Sequence, residues 1–599
     1  MFSQSRTRTL FLVTSVLIIL MAGRILHLGV AIQEFHADEV WSVWQLIGSH
    51  TDYTRDANWP PLYYMMLDGW WRVAGLQPIA LRMLSLFIFL IGEVCLYRAI
   101  RRIRTESAAL LAVLAFGGLA LNVYLTTQVR PYALVYGLLP ISLWLTMRYF
   151  DHPRLGRGLV LGAVLAAMFY AAYGSVGAFL LLGIYTLVVY RQAIWRWWLP
   201  GVTAVVIAAP VIVSIFSLAT GRVKVVTATT LPPLPTVLAN LFRWDTGNYI
   251  LLWLLLLIIA TILVFYRQRL SRSSGLLAWT LSPILIYILN PVLGLLASPM
   301  YTWFVTIGFA AWIGVGLSYL PRIGKIMAAV ALIVVIFTPL TAGEIGNIAA
   351  QNLPLSESFQ WLAQHVQWGD VIVLDPKWKD RYCDCIRAEM IEYFTNLYFP
   401  QGLRVVDNPD GYRRVWYLKW ASQEDKAFEQ RVQTNRVPGI FVGPPEALFR
   451  LYEAPPDSAG IPFANGMRFH GIDVLDQPTN LLVRRAGDKF RVRLWWSVDK
   501  PVDADYSVAL HIYANNQLSV QSDSAPQIAA PDIPHETSRW QSGQFYIEER
   551  ELEVPKSFTS GDYPLYLIVY QWQNNTRVAA PGVNQDGLLP IYTLTVKSF

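Results

Sequence analysis

Acidic side chains are almost missing from the first 341 residues. Of the 41 in the chain, ten lie there: Glu34, Asp38, Glu39, Asp52, Asp56, Asp68, Glu93, Glu106, Asp151 and Asp245. Charged residues of both signs make up only 15% of the 599 positions, against about 25% in soluble domains. A large water-soluble enzyme is thereby excluded. Three cysteines cannot brace a chain of this length, and a 54% hydrophobic content is incompatible with disorder. No glycine-rich phosphate loop follows any predicted strand, so nucleotide binding has no support either. The net charge of +7 does not indicate nucleic-acid binding, because the excess Arg and Lys fall in short clusters between apolar runs.

Those apolar runs fill the acid-poor part. A helix needs about 20 mostly apolar residues to cross the hydrocarbon core. Eleven segments are candidates: 10–31, 79–97, 107–126, 132–149, 158–173, 175–190, 199–218, 249–266, 276–296, 301–319 and 326–341. Every second gap is basic, beginning with Arg6 and Arg8 and continuing through Arg98–Arg104, Arg148–Arg157, Arg191 with Arg196, Arg267–Arg272, and Arg322 with Lys325. The positive-inside rule puts these gaps in the cytoplasm. The N-terminus is then inside, and an odd number of crossings leaves residues 342–599 outside. No small-residue cleavage site follows the first span (Gly23-Arg24-Ile25-Leu26-His27), so it reads as a retained anchor. The expectation is a multi-pass protein of the plasma (inner) membrane, with a transmembrane region at 1–341 and a first external loop at 33–78.

The remainder has ordinary soluble composition. Residues 342–457 read as an external α/β module. Ser356-Glu357-Ser358 opens a helix with Phe359, Leu362 and Val366 on one face. Val371–Leu374, Val415–Leu418 and Ile440–Val442 read as strands, with a polar helix between the last two. From 460 to 599 the pattern changes to period two: Phe490, Val492, Leu494, Trp496 and Val498 share one face, and Arg491, Arg493 and Trp495 the other. Turns at Asn515-Asn516 and Gly561-Asp562 separate further runs of this kind, which predicts an antiparallel β-sandwich. Cys383 and Cys385 lack the second ligand pair of a zinc site and read as an incidental or locally oxidised pair. Asn574-Asn575-Thr576 fits a glycosylation acceptor pattern that also arises by chance.

Six of the ten acids crowd into residues 34–68. This loop reads His36-Ala37-Asp38-Glu39, then Asp56-Ala57-Asn58-Trp59-Pro60-Pro61-Leu62-Tyr63-Tyr64, and its aromatic run continues to Trp71 as an interfacial amphipathic helix. Adjacent carboxylates at a membrane boundary are costly unless solvated or employed; as plain structure they would cap a following helix. A second external boundary reads Gln128-Val129-Arg130-Pro131-Tyr132, and an arginine there offers planar, bidentate donors to a phosphate. One face thus gathers carboxylates, an arginine and aromatics at the lipid surface.

Asp-Glu in the first external loop, followed by Pro-Pro-Leu-Tyr-Tyr and later by Gln-x-Arg-Pro-Tyr-Ala-Leu, resembles the polytopic C-type glycosyltransferases. The likeness is to bacterial members similar to the dolichyl-phosphate-mannose protein mannosyltransferases and the lipid A aminoarabinose transferases, and its motifs cover about residues 35–136. The resemblance implies an α-helical polytopic domain and a polyprenyl-phosphate-linked sugar donor. It also implies an inverting transfer to an external protein, lipid or polysaccharide acceptor. Asp38 matches the family's general base, and Glu39 would orient the base or the acceptor. His36, Asp56, Asn58, Gln128, Arg130, Tyr132, Arg243 and Tyr301 are the candidates for donor and substrate binding. Three departures stand out: Trp59 where a His is common, Val129 where a Glu is common, and Met300 where an Arg precedes the Tyr thought to meet the donor phosphate. Arg130, Arg243 or Lys224 are the available substitutes.

No cofactor is implied. A divalent metal finds no support, since the adjacent Asp38, Glu39 and His36 do not define a site. Two other classes fit parts of the sequence. A glycan-binding or assembly protein with a degenerate transferase domain would use Trp495, Trp540 and Trp572 as stacking platforms; otherwise these pack the sandwich. A transporter would need more ionisable residues within its spans than Glu93.

Overall fold

The computed structural model describes residues 4–30, 35, 39–40, 42–43, 46, 60–227, 232–267, 272–293, 299–338, 355–376, 388–399, 402–419, 425–443, 448–475, 482–528 and 533–597. The chain forms two compact units, Met1–Asn352 with Asp384–Tyr393, and Leu353–Cys383 with Phe394–Phe599.

The first unit is helical: α1 (Gln4–Val30), α2 (Leu62–Ala74), α3 (Pro78–Ile103), α4 (Glu106–Gly118), α5 (Ala120–Thr126), α6 (Tyr132–Asp151), α7 (Leu155–Ala171), α8 (Ser175–Val189), α9 (Trp198–Thr227), α10 (Leu234–Thr246), α11 (Ile250–Tyr266), α12 (Ser273–Thr280), α13 (Ser282–Leu293), α14 (Thr306–Leu317) and α15 (Arg322–Phe337). Among the described residues, five helices are long and apolar enough to cross a membrane, or seven if each of two bent pairs counts as one span. Shorter apolar helices accompany them, and the second unit is β-rich. The eleven crossings expected from apolar runs exceed this number.

Two features position the site. Helices α3 and α6 touch backbone to backbone: a Cβ on Gly92 would lie 2.7 Å from the Cα of Gly137. Small residues of this kind are what lets helices approach closely in lipid, where no hydrophobic force drives them together. The second is a break. The run expected as one span at 107–126 bends by 68° between α4 and α5. A bend in an apolar setting exposes carbonyls that must find donors. Buried Arg24 on α1 supplies one, with Nη1 donating to Gly117 O at 2.8 Å and Nε to Thr126 Oγ1 at 3.1 Å. Asn122 Nδ2 supplies another, to Phe116 O at 2.7 Å. At the opposite end of α6, Asp151 gathers Arg102 (2.7 Å), Arg272 (3.1 Å) and the Tyr190 hydroxyl (3.0 Å).

In the second unit, strands β1 (Val371–Leu374), β2 (Arg404–Val406), β3 (Arg414–Lys419), β4 (Val437–Val442) and β5 (Leu448–Glu453) form one sheet in the order β2-β1-β3-β5-β4. The first three are parallel and the last two antiparallel. The helices here are α16 (Leu355–His365), the last five residues of α17 (Ala388–Tyr398), whose first six belong to the first unit, and α18 (Lys426–Gln433). Two further sheets follow, one of six strands and one of four, with inner faces that share a single core including Val492, Trp496, Leu510, Leu567 and Leu594. Asn515 and Asn516 adopt positive φ (51° and 59°), as a tight hairpin requires. Trp495 belongs to the outward-facing set of its strand yet is fully buried, donating to Asp473 Oδ2 at 2.7 Å. Its face of the sheet is covered by the α/β module, through Arg413 paired with Asp473 and Glu453 paired with Arg493.

Candidate active site

Glu39 is the one member of the loop's acidic pair among the described residues, and it is not solvated. The helical segment that carries Glu39, Val40, Ser42 and Val43 lies inside the first unit, and these four side chains are buried. Arg82, in the first turns of α3, donates Nε to Glu39 Oε1 at 2.9 Å and Nη2 to Oε2 at 2.7 Å. The Val129 N–H adds a third bond to Oε1 at 2.8 Å. Both partners are nearly inaccessible, Glu39 at 0% and Arg82 at 1% exposure. The guanidinium also lies over the Phe35 ring, 5.2 Å from its centre, and Phe35 packs against Tyr393 at 5.0 Å.

The Gln128–Tyr132 segment, which follows α5, is tied down at several points. The Ser85 hydroxyl on α3 donates to Gln128 O at 2.7 Å. Its only proton is then committed, so the Tyr63 phenol on α2 donates to Ser85 Oγ at 3.0 Å. Burial holds that phenol well above its ordinary range, which keeps the donor protonated. Arg130 is buried, with Nη1 donating to Ser42 Oγ at 3.2 Å. Glu39, Ser42, Arg82, Ser85 and residues 128–130 therefore form one connected polar cluster. Charge-assisted bonds of this kind are the stronger class, each contributing about 1.5–3 kcal/mol.

The other candidates are distributed as follows. Gln128 and Tyr132 are buried beside Arg130 in sequence, and Arg243 lies on an exposed face of α10. The backbone of Tyr301 falls in a 3₁₀ turn at Pro299–Val305. His36, Asp38, Asp56, Asn58, Lys224, Met300 and the cysteines 383 and 385 lie outside the described residues or side chains. Asp68, another of the crowded acids, is paired within α2: it accepts from Arg72 at 3.0 Å and Trp71 Nε1 at 2.9 Å. Among the described residues, no group of three His, Cys, Asp or Glu is arranged to hold a metal ion.

Sequence reasoning missed Arg82, Ser85 and Ser42. The signal for Arg82 was present, since it is the lone charge in the apolar run from Pro78 to Gly92, and an ionisable residue inside a span calls for a partner. In the second unit, Trp540 is buried and stacked on Tyr546 at 4.4 Å. With Trp495 also inside, two of the three supposed stacking platforms are unavailable to a glycan; Trp572 stays 61% exposed. A cavity of about 820 Å³ lies between the α/β module and the four-stranded sheet. The charges on its wall pair among themselves, Arg493 with Glu453 and Glu549, each at 2.8 Å.

Residues 58–217 match the family model described as dolichyl-phosphate-mannose-protein mannosyltransferase. No curated protein matches the chain significantly by sequence. By structure it is similar to ArnT from Cupriavidus metallidurans, at 13% identity and a TM-score of 0.52, over 75% of this chain and 98% of that one. A looser likeness links it to the Archaeoglobus fulgidus oligosaccharyltransferase, at 10% identity and a TM-score of 0.42, over 67% and 65% of the two chains. The same organism's AglB, in complex with an inhibitory peptide and a dolichol-phosphate, scores 0.43 at 8% identity with both chains fully covered. These two are too distant to inform the fold. The family match across α2–α9 and the architecture shared with ArnT show that this chain is a membrane protein of the C-type glycosyltransferase fold, similar to the protein mannosyltransferases and to ArnT.

Proposed function

We propose that the chain transfers one sugar from a polyprenyl-phosphate donor to an acceptor hydroxyl on the extracytoplasmic side of the membrane. The observation that carries this reading is the anchoring of Glu39. A carboxylate that merely capped a helix would face solvent, whereas this one is held by Arg82 and the Val129 N–H inside the first unit. With both oxygens occupied, Glu39 is a positioning residue. Asp38, its covalent neighbour, is the general base.

Asp38 takes the proton of the acceptor hydroxyl as that oxygen attacks the anomeric carbon. The bond from that carbon to the phosphate oxygen breaks, its electrons leave with the polyprenyl phosphate, and a single displacement inverts the configuration. A positioned base contributes about 10²–10⁴ in rate. Arg130, buried beside Ser42, offers its cation to the charge growing on the leaving phosphate. His36, Asp56, Asn58, Gln128, Tyr132, Arg243 and Tyr301 complete the donor and acceptor surfaces. The matched family's own description supports a lipid-phosphate-linked sugar as donor.

The same reading includes eleven crossings, with the N-terminus in the cytoplasm and the loop at 33–78 outside. Residues 342–457 and 460–599 are then two external domains, the second a β-sandwich. The test uses purified full-length protein in nanodiscs with a panel of polyprenyl-phosphate pentoses and hexoses and cell-envelope acceptors. Acceptor-dependent release of polyprenyl phosphate, with inverted anomeric configuration in the product, is expected. Failure to turn over any donor in the panel would sink the proposal.

A further inference from the structure

Asp245 is the only carboxylate between Asp151 and Glu344 in the sequence, a stretch made up mostly of apolar helices. Nothing local explains it. It stands in the last turn of α10, where the helix carbonyls disfavour an anion. It is partly buried, and among the described residues no charged neighbour offsets its loss of hydration. Among the described residues it forms neither a hydrogen bond nor an ion pair. A lone acid in such surroundings costs stability unless something outside the chain uses it.

Its placement indicates what that is. Helix α10 packs against α5, the short helix leading into Gln128–Arg130, and against the 3₁₀ turn that carries Tyr301. The contact is close: Gly247, at φ 57°, brings the end of α10 to Ala120, and a Cβ there would come within 2.9 Å of the alanine side chain. Tyr136 on α6 lies within electrostatic reach of Asp245. Its buried hydroxyl lacks a well-formed hydrogen bond among the described residues. The Tyr136 ring packs on Trp303 of the same 3₁₀ turn, 5.8 Å between centres.

A carboxylate, a buried phenol whose one neighbouring hydroxyl is that of Thr306, and an indole therefore lie on the elements beside the segment that holds Glu39. Of the three parts of a lipid-linked donor, only one suits this set. A carboxylate repels the phosphate and is wasted on the hydrocarbon chain, but it accepts strongly from vicinal hydroxyls. We propose that Asp245, with Tyr136, binds the hydroxyls of the donor's sugar and so selects which sugar is transferred. This rests on the transferase reading above.

The experiment measures binding, without acceptor, of the polyprenyl-phosphate pentose and hexose panel and of bare polyprenyl phosphate to the full chain in nanodiscs. Wild-type protein is expected to bind at least one sugar-bearing lipid more tightly than the bare lipid. Asp245→Asn and Asp245→Ala should reduce that preference about tenfold or more, the loss of a charge-assisted bond, and leave bare-lipid binding unchanged. The melting temperature of Asp245→Asn should stay level or rise, because an unpaired acid is removed; a merely structural aspartate would lower it. Equal weakening of both lipids, a fall in melting temperature, or a wild type with no sugar preference overturns the inference. A wild type that binds no lipid of either kind instead overturns the transferase reading itself.

Discussion

Replacing Arg82 by Met isolates the interaction on which the proposed site depends. The substitution keeps most of the side-chain length but leaves Glu39, at 0% exposure, with the Val129 N–H and without the two guanidinium bonds at 2.7 and 2.9 Å. Removing one partner of a buried ion pair costs about 3–5 kcal/mol, because an uncompensated charge remains. Glu39→Met removes the carboxylate that Arg82 Nε and Nη2 both meet, and should cost a similar amount. The double variant removes both charges. The Val129 N–H is then orphaned, at about 1–3 kcal/mol, but no charge is left uncompensated by the loss of the other. Unfolding of the four proteins in nanodiscs, followed by circular dichroism, completes a double-mutant cycle. The double variant is expected to be more stable than either single one, yet inactive as a transferase. Strictly additive losses would refute the pairing, and full activity in the double variant would refute the positioning role of Glu39.

Arg24→Met should leave the Gly117 carbonyl and Thr126 hydroxyl without their donor, at about 1–3 kcal/mol. Faster hydrogen exchange confined to residues 117–126 would register it. Gly92→Leu forces a side chain into the Gly137 backbone, 2.7 Å from a Cβ at that position; separation of α3 and α6 should appear as loss of a monodisperse gel-filtration peak, while Gly69→Leu, with open space around it, should not. In the second unit, burial holds the His470 imidazole below its ordinary value of 6.5. A group depressed on folding takes up its proton more readily when unfolded, so its stabilising share is complete above pH 6.5 and declines as pH falls below it. Exchange protection across Met467–Val474 should weaken from pH 7 to pH 5 in the wild type and more weakly in His470→Gln.

The fold was legible wherever one physical signal dominated. Period-two alternation located Lys489–Val498, the Asn515-Asn516 pair located its hairpin, and the apolar run before Asp375 located Val371–Leu374. Residues whose role depends on a distant partner were not legible. Trp495 follows the outward set of its strand, and only the α/β module packed on that face buries it. The break between α4 and α5 falls inside an unbroken apolar run, because Arg24, 93 positions before Gly117, supplies the donor that makes it tolerable. For the candidate site, the scarcity of acids singled out Asp38 and Glu39 in the sequence. Arg82 stood out only as a lone charge in an apolar run, which gives no hint of which carboxylate it meets.

The most direct measurement is sugar transfer by purified Asp38→Asn protein, set beside the wild type at matched folding and donor binding. A general base at this position predicts a rate lower by about 10²–10⁴, with donor affinity and thermal stability retained. Transfer at the wild-type rate would contradict the assignment of Asp38 as the base.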